Sequence, residues 1–226
     1  ASQLKASNIW AISGTHTATG KPILVNDPHL SLDAPIVWYL ARIVTPELSI
    51  TGATAPGVPF HLLGHNNHLA WGMTTTGSDV QDLFYETIAP ERPHQYLTPD
   101  GWRPFEQRQE TIRVRLGDEV LHTVRTTRHG PVLSDVDHAA AALAGPSRVM
   151  ALAFTALQPG DPTIEGLYRL NRARNWDEIL AATRFIRGPQ QNLFFADTTG
   201  DIGFIAPARV PIRASGAGYL PATGAD

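Results

Sequence analysis

The chain has 226 residues, 42% of them apolar and 17% charged, a composition that folds around a core and argues against disorder. A formal net charge of −3 offers no strongly signed surface to nucleic acid or an anionic membrane, and no basic run is interleaved with aromatics. Cysteine is absent, which excludes disulfides, thiolate metal sites and a cysteine nucleophile, and no apolar run approaches the ~20 residues of a membrane-spanning helix.

Eighteen prolines and nineteen glycines predict many short elements joined by turns. Residues 9–12 (IWAI) read as a strand ended by Ser13-Gly14, and residues 22–25 (PILV) as another ended by Asn26-Asp27-Pro28. Residues 35–44 carry apolar side chains on both faces, a pattern that a strand and a buried helix share. Residues 48–52 and 69–73 read as strands on either side of a Pro- and Gly-bearing loop at 56–59, and residues 83–88 close this first block. Residues 111–116 alternate apolar and polar, Gly117-Asp118-Glu119 turn, and residues 120–126 alternate back, which predicts a hairpin with one wet face. The alanine-rich stretch 134–146 is expected to be irregular, and residues 149–154 to be a buried strand.

Two helices follow. Asp161-Pro162 supplies a cap and a first-turn proline ahead of Ile164, Leu167, Tyr168 and Leu170. Asn175 and Glu178 make a capping-box-like start for Ile179, Leu180, Ala182, Phe185 and Ile186, stopped by Gly188-Pro189. Residues 192–196 and 202–206 form a second hairpin about a turn at 198–201. Strands, then a helix pair, then strands again give an α+β fold with a sheet covered on one side by the helices. The closing text, residues 221–226, reads as an interrupted loop, so the chain is expected to be a fragment.

The residues on their own leave the chemistry open. The Gly-x-Ser-x-Gly elbow of many serine hydrolases does not occur. His16, His29, His61, His65, His68 and His129 are all candidate bases, and spacing selects none of them. His65 and His68 form a His-x-x-His pair that can ligate a metal or stand as ordinary turn histidines, with no third ligand evident.

Ser7-Asn8-Ile9-Trp10, followed by residues 20–30 (GKPILVNDPHL), resembles the opening of the β subunit of the penicillin acylase family. Four further stretches agree in order and rough spacing. They are Gly64-His65-Asn66 with Ala70-Trp71-Gly72, residues 79–84 (DVQDLF), residues 125–131 (RTTRHGP), and residues 192–197 (NLFFAD) running on through Gly200 to Phe204. The match covers essentially all of the chain from Ser7 onward.

The resemblance implies an N-terminal-nucleophile hydrolase with a four-layer αββα sandwich, present here in part. Residues 1–6 would be a linker remnant and residues 7–226 the N-terminal portion of the β-subunit domain. In the family a precursor cuts itself to free a serine at the start of the β subunit, and that serine is Ser7 here. A hydroxyl is a poor nucleophile until a base takes its proton, and a free α-amine titrating near ~8 supplies that base on the same residue. The resemblance gives the oxyanion donors as the side-chain amide of Asn192 and the backbone N–H of Thr75. His29 would orient the nucleophile, and Arg213 would orient Asn192 or its neighbours. Leu30 and Leu63 fall where the family lines its acyl pocket. Asp79 and Asp82 resemble its calcium-ligand stretch, whose remaining ligands include one from the other subunit.

Implied with these are no cofactor for catalysis, an α subunit from the same precursor as partner, and a periplasmic location. The substrate would be an acyl amide such as a β-lactam, an acyl-homoserine lactone or an acyl peptide. Two departures matter. Ala6 stands where the family commonly has glycine, and the Ala6–Ser7 bond is intact, so the 226-residue chain alone is expected to be inactive. The competing readings are a non-catalytic or unprocessed αββα binding relative, and a metal-dependent hydrolase using His65 and His68.

Overall fold

The computed structural model describes residues 6–31, 33–214 and 216–225, so all of the expected linker except Ala6 lies outside the described residues. The chain begins with β1 (Ser7–Ile12), β2 (Ile23–Pro28), β3 (Tyr39–Val44), β4 (Ser49–Thr54), β5 (Leu63–His65) and β6 (Leu69–Thr75). Next come β7 (Gln81–Thr87), β8 (Gln95–Thr98), β9 (Gly101–Pro104), β10 (Glu106–Ile112), β11 (Val120–Thr127) and β12 (Gly130–Pro131). The remainder is α1 (His138–Ala144), β13 (Arg148–Phe154), α2 (Thr163–Arg172), α3 (Trp176–Thr183), β14 (Gln191–Asp197), β15 (Ile202–Ile205) and β16 (Ala222–Thr223). Two compact units emerge from the contacts: Ala1–Ser78 with Pro159–Arg209, and Asp79–Gln158 with Val210–Asp226.

The first unit is built on a six-stranded sheet in the order β15-β14-β6-β5-β4-β3, antiparallel throughout. As the periodicity predicts, the helix pair covers one of its faces. Leu170 and Ala173 at the end of α2, with Ile179 and Ala182 of α3, pack on Ile50, Leu69, Trp71, Leu193 and Phe195. Leu170, Ile179 and Leu193 are completely buried, each worth roughly 1.5–3 kcal/mol relative to an exposed side chain.

The caps differ in detail from the expectation. Asn175 Oδ1 accepts the Glu178 N–H at 3.0 Å, but the Glu178 carboxylate grips the N–H and guanidinium of Arg174 instead of returning to Asn175. The helix stops at Thr183, whose hydroxyl donates to the Leu180 carbonyl, so Phe185 and Ile186 fall in the following turns. Pro162 takes the cap position of α2 itself, one step later than predicted, and Asp161 Oδ1 still accepts the Thr163 N–H at 2.7 Å.

β2 does not end before Asn26, as expected, but runs on to Pro28. Ile9, Asn8 and Ser7 of β1 pair with Asn26, Asp27 and Pro28, so partner strand outweighs turn composition. Of the ambiguous stretch 35–44, residues 39–44 form the edge strand β3 and residues 35–38 form neither strand nor helix.

The turn between β14 and β15 is held by one carboxylate. Asp197 Oδ1 accepts the N–H groups of Thr199, Gly200 and Asp201 at 2.9 to 3.0 Å, and the Thr199 hydroxyl at 2.6 Å. Burial alone would push the Asp197 carboxyl up; the Thr199 hydroxyl and the three N–H groups outweigh it and hold the group below its ordinary value. A depressed folded-state pKa contributes stability that is complete above the unfolded value of about 3.9 and lost as pH falls through the folded one. Asp197→Asn should therefore lower the unfolding midpoint near neutral pH and flatten its acid dependence. Thermal unfolding of both proteins between pH 5 and pH 2 measures this, and parallel curves would show that Asp197 adds nothing through ionisation.

The second unit holds three small sheets, β10-β11-β12, β13-β7-β16 and β8-β9. One core cluster joins Tyr96, Phe105, Val132 and Val149, and another joins Ala140, Ala144 and Met150. The predicted hairpin is present with its first arm displaced. The strand is Glu106–Ile112, Ile112 pairs with Val120, and residues 113–119 form the loop. β10 is exposed along its whole length and residues 106–111 are all polar, so it shows no alternation, whereas Val114 and Leu116, which do alternate, face solvent. The stretch expected to be irregular contains α1. Asp137 Oδ1 accepts the Ala140 N–H at 2.7 Å, Ala140 and Ala144 bury one turn apart, and Gly145 ends the helix at φ 71°.

Candidate active site

The β1–β2 register sets Ser7 opposite Pro28, which brings His29 beside it. The backbone N–H of His29 donates to Ser7 Oγ at 3.3 Å and to the Ala6 carbonyl at 3.0 Å. One amide thus pins the chain at Ser7 and just before it. The ring of His29 turns elsewhere, with Nε2 2.7 Å from Asp27 Oδ2, both side chains being largely exposed.

Ser7 and His29 stand on the wall of a cavity of about 410 Å³, within the size range of small-molecule sites. The rest of that wall is overwhelmingly apolar, with Leu30, Leu63, Met73, Leu167, Ile186 and Leu193 among its side chains. Thr75 lines it too. Five of the sequence-predicted residues, Ser7, His29, Leu30, Leu63 and Thr75, therefore share one chamber. Asn192 is opposite Thr74 in the β14–β6 ladder, and its Nδ2 donates to Thr74 Oγ1 at 3.1 Å and to the Thr75 carbonyl at 3.3 Å. Its amide is tied to the segment that contributes Thr75 to the cavity.

Several lining groups escape a reading of the sequence. Leu167 comes from α2, three residues before the core residue Leu170. Ile186 and Pro189 come from the loop after α3, which Thr163 Oγ1 holds by accepting the N–H of Arg187 at 3.0 Å and of Gly188 at 3.4 Å. The Gly188-Pro189 dipeptide signalled only that a helix ends.

The other histidine candidates have other employment. His61 is buried, its ring 3.0 Å from the Ala41 carbonyl and its backbone N–H donated to Asn171. His129, in the second unit, bonds the buried Glu86 through Nδ1 at 2.8 Å and stacks on Phe84 at 3.8 Å. His65 and His68 are exposed at the turn between β5 and β6, and the described residues contain no group of three His, Cys, Asp or Glu able to hold a metal ion.

Asp79, Asp82 and Arg213 form a cluster within the second unit. Arg213 Nε donates to both oxygens of Asp82 at 2.9 and 3.1 Å, and a terminal guanidinium nitrogen lies 3.2 Å from Asp79 Oδ2. The Asp82 hydrogen bond, aided by the charges of Asp82 and Asp79 and opposed by burial, raises the Arg213 pKa above its ordinary value. Calcium takes six to eight oxygen ligands. On this chain the two carboxylates are paired with the Arg213 guanidinium, and they would supply only part of such a set.

The penicillin amidase family model matches residues 1–226. The chain belongs to that family. It is 35% identical to the acyl-homoserine lactone acylase QuiP of Pseudomonas aeruginosa over 226 residues, which cover 98% of this chain and 27% of that protein. It is 34% identical to the penicillin acylase 2 proenzyme of a Pseudomonas species, covering 96% of this chain and 27% of the relative. Against the penicillin G acylase of Escherichia coli it is 30% identical, covering 93% and 24%. Among solved structures, a thermostable penicillin G acylase from Alcaligenes faecalis superposes with a TM-score of 0.82 at 28% identity, over 96% of this chain and 38% of that one. The chain therefore spans about a quarter of the length of the curated relatives it matches, and its fold is the α+β type of the N-terminal-nucleophile hydrolases.

Proposed function

We propose that the protein to which this chain belongs is an acyl-amide hydrolase whose nucleophile is Ser7, freed as a chain terminus by cleavage of the Ala6–Ser7 bond. The observation that carries the reading is the Ser7 hydroxyl on the wall of an apolar cavity, with Thr75 on the same wall and the Asn192 amide bonded to the Thr75 segment. The freed amine takes the hydroxyl proton through a water, and Oγ attacks the amide carbonyl. The developing oxyanion is held by the Thr75 N–H and by Asn192 Nδ2, which must exchange one present bond, the longer one to the Thr75 carbonyl being the weaker. Collapse breaks the C–N bond, the amine leaves with a proton, and water then hydrolyses the ester to the acid and regenerates Ser7.

The acyl group fills the cavity while the amine portion stays outside it. Relatives named for acyl-homoserine lactones and for penicillins support those two substrate classes. The proenzyme relative supports processing of a precursor, and an α subunit from that precursor as partner belongs to the proposal as a family expectation. Periplasmic export belongs to the proposal as a family expectation. Arg213 pairs with Asp79 and Asp82.

The test is the full-length protein isolated from its native host. Intact mass should show a subunit beginning at Ser7, and the same preparation should release homoserine lactone from acyl-homoserine lactones of graded chain length. Hydrolysis by material whose Ala6–Ser7 bond is uncut would sink the mechanism.

A further inference from the structure

Asn26 reads in the sequence as the first residue of a turn, yet it lies within β2, and its carboxamide makes three hydrogen bonds to backbone groups. Oδ1 accepts the Met73 N–H at 3.0 Å, while Nδ2 donates to the Met73 carbonyl at 3.2 Å and to the Asn8 carbonyl at 3.0 Å. A side-chain amide carries the same donor and acceptor as a peptide unit. Asn26 thus serves Met73 as a neighbouring strand would, at a point where β5 no longer does, since β5 pairs with β6 only through Ala70 and Trp71. Gly72 makes the approach possible: a methyl group there would lie 2.6 Å from Asn26 Oδ1 and 2.8 Å from Ile9 Cδ1.

The two anchored residues are not arbitrary. Asn8 directly follows Ser7 in β1, and Met73 precedes Thr75 by two residues in β6. One side chain fixes the strand bearing the nucleophile to the strand bearing the oxyanion donor. We propose that Asn26 is a positioning residue that sets the distance between Ser7 Oγ and the Thr75 N–H; the catalytic part of this rests on the function proposed above. An acyl carbonyl must meet both groups at once, and a misplacement near 1 Å costs about a hundredfold in rate. Asn26 touches neither substrate nor reacting atoms, so its loss should appear in turnover and not in binding.

The experiment uses the full-length protein with Asn26→Ala, Asn26→Asp and Gly72→Ala. Asn26→Ala should lower kcat on the order of a hundredfold with KM nearly unchanged. Asn26→Asp, which keeps the acceptor for the Met73 N–H and loses both donors, should fall between it and wild type. Gly72→Ala should show the same split, because its methyl displaces an intact amide. A variant that folds by circular dichroism but leaves Ala6–Ser7 uncut also supports the proposal, since self-cleavage needs the same spacing. A lowered unfolding temperature with unchanged kcat would reduce Asn26 to a structural amide and overturn it. Hydrogen exchange at the Met73 amide is read in parallel and needs no turnover. Protection in wild type that Asn26→Ala removes upholds the clamp even if wild type proves not to be a hydrolase; an unprotected Met73 overturns it.

Discussion

Ser7→Ala in the full-length precursor is expected to leave the bond after Ala6 uncut and to remove acyl-amide hydrolysis, a loss on the order of 10⁴-fold or more by comparison with other serine nucleophiles. Both effects follow from one missing oxygen, because the hydroxyl that attacks substrate is also the group proposed to attack the preceding peptide. His29→Ala provides the internal contrast. What reaches Ser7 Oγ is the His29 backbone N–H, which the substitution retains, while the ring engages the exposed Asp27 carboxylate. An exposed pair of that kind contributes about 0–1 kcal/mol, so His29→Ala should cost roughly tenfold in kcat/KM at most. Measuring both variants by intact mass and lactone release separates a nucleophile from its neighbour. If His29→Ala were as inactive as Ser7→Ala, the ring would be the base, and the amine mechanism would fail.

How far the sequence reaches can be seen residue by residue. The hairpin from Gln191 to Ile205 and the two helices were legible because each carries a local signal: Thr198 to Asp201 with Gly200 at the turn, Asn175 at a cap, and apolar residues at helical spacing above a sheet. α1 was not, because a run of alanines has no amphipathic contrast to display, and only the packing on Met150 shows which two are buried. β10 is displaced for a similar reason, residues 106–111 being polar on both faces.

At the site, motif resemblance placed Ser7, His29, Leu30, Leu63 and Thr75, and the structure gathers them around one cavity. Asn26 falls within the 20–30 motif but reads there only as a turn residue, and Ile186 reads only as part of a helix. Each acts on a group distant in sequence, Met73 for the first and the shared chamber for the second, and no local pattern encodes such a pairing. Gly72 belongs to the Ala70-Trp71-Gly72 motif, but the reason for a glycine there is Asn26, 46 positions away in the chain and adjacent only in the fold.

The helix α2 offers the second large effect, because two leucines one turn apart face different tasks. Leu170 is completely buried in the cluster beneath the helix pair, against Trp71, Leu193 and Phe195, and Leu167 lines the cavity. Leu170→Ala should destabilise the protein by about 2–5 kcal/mol, the transfer loss plus the void that the sheet cannot close. Its acyl-chain preference should stay as in wild type, since the cavity wall is unchanged. Leu167→Trp should do the reverse. The larger ring projects into the chamber of about 410 Å³, so long acyl chains lose binding while short ones still fit. One methylene in an apolar pocket is worth roughly 1–3 kcal/mol, so excluding even two should shift the ratio of kcat/KM for long against short chains by about thirtyfold or more. Thermal unfolding and a chain-length series on both variants check the division. A changed chain-length profile in Leu170→Ala, or an unchanged one in Leu167→Trp, would mean that this cavity is not where the acyl group binds.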